Sequence, residues 1–251
     1  MARIEVKYAA AAAGVAAIVA GALGFAFASL GGIGRGPGLE TAVHDYLVEN
    51  PQVLMEMQDA LIAQRDAENQ RLRDEALAAA GLAALTDPGV AFVVGPEDAA
   101  VTVAEFFDYR CPYCKASLTA VETALADHAD VRFAFIEYPI LTEDSALAAH
   151  AAVAARRQPG KYIPFHIALM KTTGELPRER ILAIAVEAGL DLEKLETDMA
   201  DPAVLATIDA AHALADRLRV SGTPTFVIND KFSVGQLTGD QLERLIEEAR
   251  S

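Results

Sequence analysis

The sequence predicts an α/β fold: a mixed sheet whose first β-α-β unit carries a cysteine pair, interrupted by a helical subdomain and preceded by a separate helical segment. Three observations carry this. The stretch "VTVAEFFDY" reads as a strand and leads straight into "CPYCKASLTAVETALADHA", whose apolar spacing is helical, before "VRFAFIEYPI" returns as a strand. From Thr142 to about Arg219 the pattern is almost entirely helical, punctuated at Gln158-Pro159-Gly160, Gly174, Gly189 and Asp201-Pro202, which marks an inserted subdomain. Finally "TPTFVIN" and "KFSVGQ" flank Asn229 and Asp230 as a hairpin, and "TGDQLERLIEEAR" closes the chain as a helix capped by Thr238.

The N-terminus reads as a targeting segment before any fold reasoning applies. Arg3 and Lys7 precede an apolar run from Tyr8 to Leu30, and Ala26 with Ala28 forms a small-residue cleavage pattern, so residues 1–28 read as a secretory signal peptide cleaved after Ala28. The run also approaches the ~20 residues that span a bilayer, so an uncleaved membrane anchor is the alternative. Either reading exports the remainder to an oxidising compartment, the periplasm in a Gram-negative source. Residues 29–38 follow as a Gly-rich spacer.

Residues 39–89 read as a helical oligomerisation stalk and linker. Asn50 fits an N-cap and Pro51 a first helical position, so one helix ends near Glu49 and a longer one begins there. Leu47, Leu54 and Leu61 recur every seven residues with Met57 between the last two, a narrow apolar seam that stops where Gln64 and Glu68 take its place. Such a seam suits either a partner helix or the chain's own domain. The main domain, residues 90–251, then opens with "VAFVVG" and the turn "PEDAA" ahead of the motif strand.

Composition bounds the function. With 53% hydrophobic and 23% charged residues the chain is globular, and a net charge of -15 with no clustered Lys or Arg excludes a nucleic-acid partner. The only two cysteines, Cys111 and Cys114, lie too close together to staple distant parts of a fold. Zinc needs about four ligands, and neither a second cysteine pair nor closely spaced histidines exist, so no metal site is assigned. His44, His128, His150, His166 and His212 are scattered and receive no role. Two soft thiols could also hold Cu(I), but Met55 and Met57 lie far from them in sequence.

What remains is thiol-disulfide chemistry. Cys111 at a helix start gains unpaired backbone N–H groups and the positive end of the helix dipole, both of which favour an exposed, attacking thiolate. Pro112 suits the first turn, where its missing N–H costs nothing. Cys114, one turn in, is the more buried, resolving thiol. The redox-active disulfide Cys111–Cys114 is then the working group, with no other cofactor.

"EFFDYRCPYC", the helical insert and "SGTPTF" together resemble the DsbA-type branch of the thioredoxin superfamily over roughly Val90 to Arg250. The resemblance implies a thioredoxin fold and a cis Thr223-Pro224 peptide opposite the cysteines, with the Thr223 side chain facing the sulfurs. It also implies that Glu105, six residues before Cys111, is a partly buried acid able to relay a proton to the resolving thiol. The alternation of Val101, Val103, Glu105 and Phe107 independently turns Glu105 inward and leaves Asp108 on the opposite face. Tyr113 stands where well-known DsbA proteins carry a histidine, which argues against a strongly oxidising potential. The helical segment ahead of this domain is similar to the suppressor-of-copper-sensitivity C proteins, which implies a homo-oligomer such as a trimer. It further implies disulfide isomerase or reductase work on misfolded or reduced exported proteins, with a membrane electron donor of the DsbD type. The alternative is a monomeric oxidase recharged by a quinone-linked membrane oxidase.

Overall fold

A computed structural model describes residues 37–251. The expected signal peptide and all but the end of the Gly-rich spacer lie outside the described residues. The chain divides into two compact units, one ending at Gln64 and the other spanning Arg65–Ser251.

The first unit is helical. Helix α1 spans Pro37–Glu49, and α2 starts at Gln52 and continues to Ala80 without a break. Asn50-Pro51 does separate them, but not by the expected cap. The Asn50 amide donates back to the Tyr46 carbonyl at 2.8 Å and accepts from the Gln52 side chain at 3.4 Å, so it closes α1 rather than opening α2. The seam residues Leu47, Leu54, Met57 and Leu61 are 42%, 69%, 62% and 48% exposed. Among the described residues no helix is long and apolar enough to cross a membrane.

The second unit starts ahead of residue 90, within the segment expected as stalk and linker. Its core already includes Leu77 near the end of α2 and Leu85, packed with Val90 and Ala91, and Arg73 donates to the Arg219 carbonyl at 3.2 Å. The solvated face of "RDAENQRLRDE" is held by Arg71 bonded to Glu68 and Glu75, which keeps this stretch helical although it carries little apolar surface.

Five strands form the sheet: β1 Ala91–Val94, β2 Val101–Phe107, β3 Val131–Glu137, β4 Thr225–Ile228 and β5 Lys231–Val234, in the order β1-β3-β2-β4-β5. The strands flanking "PEDAA" do not pair; β3 lies between them, parallel to β2 and antiparallel to β1. Gly95 permits that crossing. Its φ is +105°, and a Cβ there would meet the Val131 carbonyl oxygen at 2.2 Å. Helix α3, Pro112–Asp127, joins β2 to β3, the right place for a β-α-β crossover. The insert comprises α4 Glu143–Ala155, α5 Tyr162–Lys171, α6 Arg178–Glu187, α7 Leu192–Met199 and α8 Pro202–Arg217. Asn229 turns the β4–β5 hairpin with φ 49°, and its side-chain oxygen also takes the Thr102 N–H at 2.8 Å. Helix α9, Gly239–Arg250, starts at the expected Thr238 cap, which Gln241 completes as a capping box.

Strand β2 is buried on both faces because helices cover both. Val101, Val103 and Phe107 pack into the core shared with α3, α9 and the insert, whereas Ala104 and Phe106 face the core of α8 and the end of α2. Alternation along β2 therefore places Glu105 on the side that holds Cys111 and Cys114.

Candidate active site

The strand-to-helix turn after β2 builds the site. Cys111 is the N-cap of α3: its sulfur accepts from the Cys114 backbone N–H at 3.4 Å, and Pro112 occupies the first turn. Opposite it, the Thr223–Pro224 peptide is cis, and the Cys111 thiol donates to the Thr223 carbonyl at 3.2 Å. This corrects the expectation of an exposed thiol: residue Cys111 is only 3% exposed, because the Thr223-Pro224 segment lies against its sulfur. Accessible surface comes from its neighbours instead. Pro112 is exposed and Tyr113 is 61% exposed, whereas Cys114 is 1% exposed.

The two thiols are electrostatically unlike. Hydrogen bonding from Cys114 holds the Cys111 thiol down at about 6 against the opposing effect of burial, with the Thr223 side chain and the backbone N–H groups of Cys114 and Tyr113 adding to the stabilisation. Burial pushes the Cys114 thiol far up, reinforced by its bond to Cys111 and the nearby Glu105 charge. Glu105 is 5% exposed, and burial followed by the Cys111 charge raises its carboxyl to about 8. A carboxyl poised near neutrality beside a thiol that must lose its proton has the property a proton relay needs. Among the described residues no group of three or more metal-ligating side chains gathers anywhere.

Other residues hold this frame, and sequence reasoning missed them. Asp108 does not point idly from the far face of a strand. Strand β2 has ended by then, and the buried carboxylate takes the Arg110 N–H at 2.6 Å, the Ile140 and Leu141 N–H groups at 2.9 and 3.1 Å, and the Ser145 hydroxyl at 2.7 Å. Its own carbonyl accepts from the Cys111 N–H at 3.0 Å. Tyr109 donates to Glu137 at 3.2 Å and meets His166 Nδ1 at 3.1 Å, and Tyr162 donates to the same Glu137 oxygen at 2.9 Å. Burial lowers His166 to about 3 and raises Glu137 to about 8. The Tyr162-to-His166 spacing, one helical turn, was the available signal for this cluster.

The comparisons agree with this geometry. Residues 102–247 match the family DSBA-like thioredoxin domain, and residues 39–68 match the Copper resistance protein ScsC N-terminal domain. A thioredoxin-like oxidoreductase from Silicibacter pomeroyi is 43% identical, covering 68% of this chain and 98% of that one with a TM-score of 0.63. Proteus mirabilis ScsC in a transitional conformation is 28% identical, covering 85% of this chain and 94% of that one, also at 0.63. A Na(+)/H(+) antiporter NhaA 3 of Salinispora tropica is 35% identical over 147 residues, 58% of this chain, which spans only 22% of that protein's length. With the cysteine pair capping α3, the cis Thr223–Pro224 peptide facing it and a family match running across most of the second unit, the chain belongs to the DSBA-like thioredoxin domain family of thiol-disulfide oxidoreductases.

Proposed function

We propose that the protein is an exported, oligomeric disulfide isomerase or reductase acting in the periplasm on misfolded or reduced exported proteins. Cys111 attacks one sulfur of a client disulfide as a thiolate, forming a mixed disulfide and releasing the other client sulfur as a thiolate. In isomerisation a second client thiolate then displaces Cys111. In reduction Cys114 attacks Cys111, the second client sulfur leaves as a thiolate so that the client has gained two electrons and takes its protons from solvent, and the Cys111–Cys114 disulfide is reduced again by a membrane donor of the DsbD type. Glu105 takes the Cys114 proton in that step. Pro112, Tyr113, Thr223 and Pro224 tune the pair and receive the client backbone.

The observation that carries the isomerase reading is the apolar seam Leu47, Leu54 and Leu61, exposed on a segment matching the ScsC N-terminal domain ahead of a DSBA-like domain. Such a seam suits pairing with further copies of itself, and several sites on one stalk raise the local thiol concentration around one client. Light scattering of the mature protein and refolding of scrambled ribonuclease test it. Leu47→Asp with Leu54→Asp is expected to give monomers with reduced isomerase activity; a monomeric wild type with the same activity as the variant overturns the reading. Cys114→Ser is expected to accumulate mixed disulfides.

A second reading, a monomeric oxidase recharged by a quinone-linked membrane partner, is favoured by the depressed Cys111 thiol, because stabilising the thiolate favours the reduced form and makes the disulfide more oxidising. Measured redox potential and oxidation of a reduced client separate the two.

A further inference from the structure

The residues bracketing the cysteine motif all reach one short stretch of the helical insert. Tyr109 meets His166 on α5, and Arg110 Nη1 donates to the Gly174 carbonyl in the loop that leaves α5. Lys115, the residue directly after Cys114, is bound most fully: its ammonium donates to the carbonyls of Leu169 at 3.3 Å, Met170 at 3.0 Å and Thr172 at 2.7 Å. These carbonyls end α5, where the helix dipole is negative; the Leu169 carbonyl also takes the Thr172 N–H at 3.2 Å. An ammonium is the complementary group there. It satisfies three acceptors and fixes the first turn of α3 to the insert.

The position of this lysine gives it a second consequence. It is half-buried, so its charge is less screened than a surface lysine's; burial and then Arg110 bring the ammonium down to about 8, while Cys114, Asp108 and Cys111 act to keep it charged. No histidine stands between the cysteines to stabilise the thiolate, because that position holds Tyr113. We propose that Lys115 is the positioning residue of the cysteine pair, its ammonium seated on the C-terminal carbonyls of α5 so that it locks the active-site turn to the insert and favours the thiolate, reduced form. The inference rests on the thiol-disulfide reading and adds to it a residue outside the family motif. It also makes the insert part of the redox machinery, since α5 decides where that charge sits.

The test uses the full chain and its thiolate absorbance near 240 nm, titrated with pH, alongside its equilibrium with glutathione. Lys115→Met keeps the length of the side chain and removes the charge. The Cys111 titration is expected to move up by about 0.3 unit and the equilibrium toward the disulfide by roughly two-fold, with Lys115→Arg recovering most of both. A purely structural role would change melting temperature in both variants and leave the titration in place. If Lys115→Met does not fold, Lys115→Gln and Lys115→Arg are compared instead. An unchanged titration in a folded, uncharged variant overturns the proposal. The thiol-disulfide reading fails separately: wild-type protein would then show no thiolate signal that Cys111→Ser abolishes and no exchange with glutathione.

Discussion

The Cys111 thiol donates to the carbonyl oxygen of Thr223 across 3.2 Å, joining the start of α3 to a segment 112 residues further along the chain. The contact places the reactive sulfur against the cis peptide and the Thr223 side chain. Alkylation by iodoacetamide is therefore expected to rise with pH around a midpoint of about 6, the value to which hydrogen bonding from Cys114 brings this thiol. Thr223→Val, which keeps the shape and removes the hydroxyl, is expected to move that midpoint upward by about half a unit. The same depression is a stability statement for the reduced protein. Its contribution is fully present above the ordinary thiol value near 9 and is lost as pH falls through about 6, so reduced wild type loses stability against Cys111→Ser across that window.

Glu105 works in the opposite sense. Its carboxyl is raised from about 4.5 to about 8 by burial and then by the Cys111 charge, so the folded protein keeps a proton that the unfolded chain releases. Stability falls as pH rises through that interval, and Glu105→Gln removes the dependence. The variant is expected to gain on wild type by on the order of a few kcal/mol between pH 4.5 and 8, read by urea denaturation. Resolution of the mixed disulfide should slow and lose the inflection that Glu105 gives it, which lies below 8 because Cys111 carries no charge while bonded to the client. A stability gain with an unaltered rate profile would show that Glu105 moves no proton.

Asp108 is a scaffold for the active-site turn. Asp108→Ala leaves three backbone N–H groups and the Ser145 hydroxyl without their acceptor, and is expected to cost about 3 kcal/mol in chemical denaturation. Asp108→Asn, which keeps one oxygen, should cost less.

Glu137 holds Tyr109 and Tyr162 through a single oxygen. Glu137→Leu takes the shared acceptor from both hydroxyls, leaving Tyr109 with His166 alone, and is expected to destabilise by about 1–3 kcal/mol, whereas Glu137→Gln retains an acceptor and should be far milder. Equal losses in the two variants would assign the effect to packing rather than to the hydrogen bonds.

The sequence by itself determined the order of elements, the cysteine pair at a strand-to-helix junction, the hairpin at Asn229, the Thr238 cap and the apolar seam of α1 and α2. Each is written in local periodicity or in turn and cap chemistry, which act over a few residues. The inward face of Glu105 was legible for the same reason, since alternation along a strand is local. Tertiary structure decided the rest. The burial of Cys111 depends on Thr223, far away in sequence, and the compact unit begins at Arg65 because Leu77 and Leu85 find partners on the sheet. Asp108, Glu137 and Lys115 took their roles from groups on other elements that sequence spacing does not bring together. A polar side chain declares itself locally as a helix or loop residue. Only the packed core, which must satisfy each buried donor and acceptor, fixes which partner it meets and hence what it does.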